Sequence, residues 1–258
     1  MSPGMDIPYD NKSPKRHKDL LSTDESVNLV KSFFITTSFY CTHLMNTTHS
    51  VELVHVTPDA ESLIAYMARV SNPSNQDNPN YEKLIKYLID HKHWSPFEMV
   101  NMCVQIDTTR SVAAQILRHR SFSFQEFSQR YAKVTEPAAL PHLRRQDTKN
   151  RQNSTDDLPI ATIKDFNVKV NSLFELSEAL YEEMLLAGVA KECARDVLPL
   201  ASRTKLYMNG TLRSWLHYTD LRCANGTQKE HKSIADQIRG IIGVQFPQVY
   251  NAMWGVNT

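Results

Sequence analysis

Little in this chain is out of balance. Its 258 residues carry 29 Lys and Arg against 28 Asp and Glu, a formal net charge of +1. Such neutrality removes any general steering toward nucleic acid or an anionic membrane, so a basic site has to be local. Cys41, Cys103, Cys193 and Cys223 show neither CxxC nor Cys/His ligand spacing. That argues against structural zinc and leaves reduced, cytoplasmic thiols as the expectation. His91 and His93 stand two apart with no third ligand spaced to join them, so no metal is expected. No apolar run approaches the length of a membrane span.

What is present suffices for a folded domain. With 41% hydrophobic and 22% charged residues, the chain can bury one full core or two small ones. The first residues are polar and punctuated by proline, with one short aromatic and β-branched patch, SFFITTSFY. That patch is too short, too late and too closely preceded by acidic residues for a signal peptide. Residues 1–44 are therefore expected to be a poorly ordered extension, dispensable or untranslated, with Met45 a second possible start. Residues 45–258 are expected to form the domain.

From Val51 the pattern turns regular. VELVHV reads as a strand, residues 60–69 as a helix with Leu63, Ile64 and Met67 inward, and residues 81–91 as a helix burying Leu84, Ile85, Leu88 and Ile89. Residues 98–107 alternate like a strand with one buried face, Met102, Val104 and Ile106 opposing Asn101, Cys103 and Gln105. Residues 134–159 lack periodicity and read as a surface loop whose basic run, LRRQDTKNR, is solvated; without interleaved aromatics it makes a poor nucleic-acid surface. The C-terminal half is helical. Residues 160–186 carry an apolar stripe with Gly188 placed to cap it, the kind of helix that also packs on a partner subunit. Residues 190–198, 211–223, 227–240 and 246–254 follow as further helices. The fold class is α+β.

The densest chemistry lies in QILRHRSFSFQEFSQRY, residues 115–131, where Arg118, His119, Arg120 and Arg130 surround Ser123 and Ser128. Residues 108–118 are read as a helix that puts Gln115 and Arg118 on one face. Three consecutive basic residues cannot all point one way, so RHR is expected where that helix opens into a loop. Guanidinium forks suit phosphate oxygens, each charge-assisted bond being worth roughly 1.5–3 kcal/mol. Ser128 and Arg130, two apart in an extended segment, would face the same side. The bland alternative is a solvated basic face. Residues 211–223 place Thr211, Ser214, Tyr218 and Arg222 near one stripe and Arg213 and His217 near another, which calls for a polar partner. Taken alone, Trp215 and His217 read as packing residues, Arg195 as the partner of Glu192 or Asp196, and Ser71 as an ordinary helix end.

The spacing of RHR, Ser123, Ser128, Arg130 and Tyr131 closely resembles the signature of the flavin-dependent thymidylate synthases. The resemblance covers residues 51–253 and includes ARVS ending at Ser71, the stretch from His93 through Ser95 to Glu98, and ARDVLP around Arg195. It implies a mixed single-domain α+β fold with a central antiparallel sheet and long helices. It also implies a homotetramer with sites assembled from several subunits. The implied reaction is reductive methylation of dUMP to dTMP, with carbon from methylenetetrahydrofolate and hydride from NADPH through FAD. The implied dUMP ligands are Gln115, Ile116, Leu117, Arg118, Glu126, Phe127, Ser128, Gln129, Arg130, Arg195 and Arg222, with Arg222 as the catalytic group that activates the uracil. The implied FAD contacts are Ser71, Ser95, Arg118, His119, Arg120, Glu126, Thr211, Leu212, Arg213 and His217, while His93 faces the folate region. The chain departs from the family pattern at Thr211, His217 and Gly226. Classical thymidylate synthases use a cysteine nucleophile; none of the four cysteines lies in the implied site. Two other classes are compatible with the residues: a flavin oxidoreductase acting on another substrate, and a phosphodiester-binding module built on RHR.

Overall fold

Alternating apolar residues build the sheet, and helical stripes cover it. The computed structural model describes residues 49–255, so the expectations for residues 1–44, and Cys41 among them, lie outside the described residues. In chain order the strands and helices are β1 (Ser50–Val56), α1 (Ala60–Ala68), α2 (Glu82–Asp90), β2 (Asn101–Thr109), α3 (Arg110–Ile116), β3 (Ser123–Glu126), β4 (Arg145–Gln146), β5 (Ser154–Thr155), α4 (Ile160–Leu186), α5 (Lys191–Ala194), β6 (Arg203–Thr211), α6 (Leu212–Arg222), α7 (Lys229–Gln245) and α8 (Pro247–Trp254). Single 3₁₀ turns occupy Pro73–Asn75, Ser95–Glu98 and Arg195–Val197.

The main sheet is antiparallel throughout, in the order β1-β2-β6-β3. β2 and β6 pair along their whole length, from Asn101 opposite Thr211 to Thr109 opposite Arg203. Met102, Val104 and Ile106 of β2 and Leu206 and Met208 of β6 are fully buried on one face. They join Val112 and Ile116 of α3, Trp215 and Leu216 of α6, and Ile234, Ile238 and Ile242 of α7 in one core. Burying such a side chain contributes about 1.5–3 kcal/mol, so the helical layer is held chiefly by this face. On the opposite face Gln105 and Asn209 are half-buried, and Lys205 and Tyr207 are exposed. Antiparallel sheets tolerate one such uncovered face.

Each central strand runs into a helix with no residue between them, β2 into α3 and β6 into α6. Because the strands are antiparallel, the two helices leave from opposite ends of the sheet. The indole N–H of Trp215 donates to the Met102 carbonyl at 2.9 Å and pins α6 to β2. Phe122 packs edge-on to Trp215, ring centroids 4.6 Å apart, directly over Gly210 of β6. A Cβ at Gly210 would lie 2.4 Å from Phe122 Cδ1, so this strand position needs glycine for close approach.

The long helix α4 has the expected bounds. Gly188 takes the left-handed conformation (φ 84°), with the Gly188 N–H on the Leu185 carbonyl and the Val189 N–H on the Met184 carbonyl, the paired bonds of a Schellman stop. Tyr181 is its one buried residue. Phe166, Leu173, Leu176 and Leu180 share a stripe at helical spacing yet are 50%, 61%, 67% and 43% exposed. They form an apolar face that the described residues do not cover.

Several local expectations are corrected. Thr108 and Thr109 finish β2 because they pair with Thr204 and Arg203, so the helix expected from residue 108 spans Arg110–Ile116. Residues 95–98 form a 3₁₀ turn with Pro96 in its first turn, and β2 starts at Asn101 rather than Glu98. Ser128 and Arg130 lie in a turn, closed by the Tyr131 and Ala132 N–H groups on the Ser128 carbonyl, not in an extended segment. Residues 190–198 divide into α5 and a 3₁₀ turn. The supposedly featureless loop holds the β4–β5 ribbon, and its Arg144 is not solvated: it grips Glu230 through two bonds of 2.5 and 2.9 Å.

Gly210→Ala should force Phe122 off its site at a cost of about 1–3 kcal/mol. In a domain of this size that lowers Tm by several degrees, measurable by differential scanning calorimetry.

Candidate active site

The RHR turn and the C-terminal end of α6 meet at one hydrogen bond. Arg222 Nε donates to His119 Nε2 at 2.9 Å, and the His119 ring stands edge-on to Tyr218, centroids 4.9 Å apart. Burial, then the Arg222 and Arg118 guanidiniums, push His119 down to about 4. At neutral pH the imidazole is uncharged, its Nε2 lone pair accepts from Arg222, and its proton therefore sits on Nδ1. Arg118 and Arg120 are exposed. Among the described residues neither they nor Arg222 pairs with a carboxylate. Three uncompensated guanidiniums beside a neutral imidazole form a site that favours anions, as phosphate and flavin groups require.

At the other end of α6 stands a second group. Thr211 caps the helix, accepting from the Ser214 N–H at 3.3 Å, and donates its hydroxyl to Glu98 Oε2 at 2.7 Å. Arg213 Nη1 donates to Glu98 Oε1 at 2.8 Å. His217 lies edge-on to Trp94 at 5.1 Å, next to exposed Ser95, and is itself exposed; Trp215 is the packing residue. His93 is exposed and edge-on to Tyr87 at 5.8 Å. Leu212 and Ile116 have fully buried side chains, so neither can offer more than backbone to a ligand. With 11 residues, α6 separates its two ends by about 16 Å.

A third group surrounds Glu192. Arg130 donates to the Glu192 carboxylate at 3.0–3.1 Å, while Arg195 Nε donates to the Glu192 backbone carbonyl at 3.2 Å and lies 3.9 Å from Asp196. Both partners of the Arg130 pair are 54% exposed, and such pairs are worth about 0–1 kcal/mol, so Arg130 is readily released from Glu192. Nearby in sequence, Glu126 accepts from Arg110 at 2.7 Å and Thr204 at 2.9 Å. Gln129 is buried, its Nε2 without a partner among the described residues; Phe127 and Leu117 are each 37% exposed. Ser71 lines a separate cleft with Arg69, Asn72 and Lys83. Among the described residues no hydrogen bond or ion pair joins these groups.

Arg110, Gln228, Glu230 and His231 escaped the sequence reading. A histidine on an apolar helical stripe reads as core, and no local spacing announces Arg144 reaching Glu230. Cys223 adjoins Arg222, but burial and then a bond with Asp236 push its thiol up to about 11, which removes it as a nucleophile.

The sequence model of the family described as "Thymidylate synthase complementing protein" matches residues 52–248. A flavin-dependent thymidylate synthase from Synechocystis is 56% identical over 193 residues, 75% of this chain and 89% of that protein. The chain belongs to the flavin-dependent thymidylate synthase family. A probable flavin-dependent thymidylate synthase of Paramecium bursaria Chlorella virus 1 is 50% identical over 195 residues, 75% of this chain and 90% of that one. The crystal structure of PolB, a UMP/dUMP methylase from Streptomyces cacaoi bound with 5-Br dUMP, shares the fold with a TM-score of 0.72 at 24% identity, over 80% of this chain and 95% of that one. Membership in the flavin-dependent thymidylate synthases makes the protein a flavin-dependent methylating enzyme of thymidylate synthesis. Among the described residues no helix is long and apolar enough to cross a membrane.

His119 and His231 are held below their ordinary 6.5, His231 down to about 3 by burial and then by Arg222 and His119. The unfolded chain thus binds protons that the native chain refuses, so stability is full above pH 6.5 and falls as pH drops toward 3. Glu230, which burial raises but bonds from Arg144 and Gln228 bring down to about 2, acts in the same direction below 4.5. Tm plotted against pH should descend below 6.5, and His231→Phe should flatten that descent.

Proposed function

We propose that the protein converts dUMP to dTMP, taking the carbon from methylenetetrahydrofolate and the hydride from NADPH by way of FAD, in the cytoplasm and as a homotetramer. The observation that carries this reading is the neutral His119 set among the guanidiniums of Arg118, Arg120 and Arg222, which pair with no carboxylate among the described residues. Bound FAD would supply hydride chemistry that no side chain can. Arg118, His119 and Arg120 would hold it, with Thr211, Arg213 and His217 along α6 and Ser71 and Ser95 from neighbouring loops. His93 would face the folate.

For the nucleotide, Ser128, Arg130 and Arg195 take the phosphate, Arg130 exchanging Glu192 for it. Gln115 holds the base, and backbone groups of Ile116, Leu117, Phe127 and Gln129 complete the cradle with Glu126. Arg222 stabilises negative charge that develops on the uracil ring. Its Nε is committed to His119, so the guanidinium is oriented before substrate arrives, which is what makes such donors effective. No cysteine is required. The apolar stripe of Phe166, Leu173, Leu176 and Leu180 supports self-association, since a second copy would bury it, and joining copies would unite ligand groups that lie apart in one chain.

Tritium should be released from dUMP labelled at ring position 5 only when FAD, NADPH and methylenetetrahydrofolate are all present; release without the folate, or none from a folded yellow protein, would refute the reading. Arg222→Ala should lower turnover about 100- to 1,000-fold while dUMP still binds. Near-normal turnover would remove Arg222 from this role. Replacing Leu173 and Leu176 together by Glu should reduce the assembly size seen by light scattering, with activity falling in parallel.

A further inference from the structure

Behind the RHR turn lies a chain of polar groups whose hydrogen-bond direction is set from one end. Glu230 is its anchor. The carboxylate is gripped by Arg144 through both oxygens, and its low pKa keeps it an acceptor only. The contact of 2.8 Å between Gln228 Nε2 and Glu230 Oε2 is therefore donated by the Gln228 amide N–H. Gln228 Oε1 then faces Gln115 and accepts from Gln115 Nε2 at 2.6 Å. That leaves Gln115 Oε1 toward His231 Nδ1 at 3.3 Å, so Nδ1 carries the proton. His231 Nε2 in turn accepts from the Tyr218 hydroxyl at 3.0 Å. Tyr218 and His231 are both buried, so neither end of this pair can turn to water instead. Each assignment follows from the one before it.

We infer that His231 and Gln228 are specificity-determining residues: they lock the Gln115 carboxamide in one orientation, which accepts a uracil ring and rejects cytosine. The inference rests on the reading that Gln115 meets the base. An amide has two N–H donors and two acceptor lone pairs, of which this network uses one each. One donor and one acceptor remain, in fixed places. Uracil offers N3–H beside the carbonyl oxygen O4, whereas cytosine offers the bare N3 lone pair beside an amino group, the reverse order. A freely turning carboxamide satisfies both by flipping. Here the flip would set the Gln115 amino group against the His231 Nδ1–H and its oxygen against the Gln228 oxygen. Gln228 cannot flip in place to relieve this, because its own oxygen would then face the Glu230 carboxylate, and turning out to water would give up its bonds to both Glu230 and Gln115. His231 reaches no substrate in this scheme; it acts through Gln115.

The test is isothermal titration of the FAD-loaded enzyme with dUMP and with dCMP. The wild type should prefer dUMP. His231→Phe, which keeps a planar ring without the donor, and Gln228→Leu, an exposed site where folding is not at stake, should each lower the dUMP-to-dCMP affinity ratio about tenfold or more. His231→Asn, whose side-chain N–H can replace Nδ1–H, should keep the ratio. A wild type without preference, a ratio unchanged in both disabling variants, or an Asn variant no better than Phe would overturn the inference. Gln115→Leu separates the two levels. If it leaves dUMP affinity intact, the reading of Gln115 on the base fails; if it weakens dUMP tenfold while the other variants keep the ratio, only the orientation lock fails.

Discussion

The full-length pairing of β2 with β6 is the constraint on which the rest depends. Nine residues on each strand are matched without a slip, from Asn101 opposite Thr211 to Thr109 opposite Arg203. A one-residue shift would turn Met102, Val104, Ile106, Leu206 and Met208 out of the core. It would also displace both strand-to-helix junctions, since α3 and α6 follow their strands directly. The register therefore sets where α3 delivers the RHR turn and where α6 brings Arg222 to meet it. Gly210 and Phe122 add a second lock, the ring occupying the space a side chain would need.

On that frame the site holds cations that find no counter-charge among the described residues. Ordinary surface arginines find carboxylates, as Arg213 does with Glu98 and Arg130 with Glu192. At the His119–Arg222 corner the available partner is a neutral imidazole. His119 lends a lone pair without cancelling charge, so the electrostatic demand is left for a ligand. The same economy governs the layer beneath, where Glu230 holds the half-buried charge of Arg144 and passes a hydrogen-bond direction outward through neutral amides. The β4–β5 ribbon, joined to α7 by Arg144–Glu230 and Lys229–Asp156, thereby connects a distant loop to Gln115.

Much of this was legible in the residues. The bounds of α4 and its glycine stop, the buried alternation of β2 and the apolar stripe of α7 follow from periodicity and capping chemistry alone. The place of residues 118–120 just past a helix end was readable because three basic residues in a row cannot share one helical face. What could not be read were the competitions between local preferences. Thr108 and Thr109 suit strand or helix, and the partner strand decided; Ser128 and Arg130 suit an extended segment or a turn, and the turn won its backbone bonds. His231 gave no sign, because a buried histidine on an apolar stripe looks the same whether it fills space or orients an amide.

The sequence by itself determined the α+β class, the family signature and the clustering of basic and hydroxyl groups over residues 118–130, because these depend on residue types at short spacing. The tertiary structure alone decided which of those groups meet. Arg222 and His119 are 103 residues apart and bonded, Gln115 and His231 are 116 apart and bonded, and Arg130 and Arg195 converge on Glu192. Such pairings are settled by sheet register and helix docking, long-range burial that no local pattern encodes.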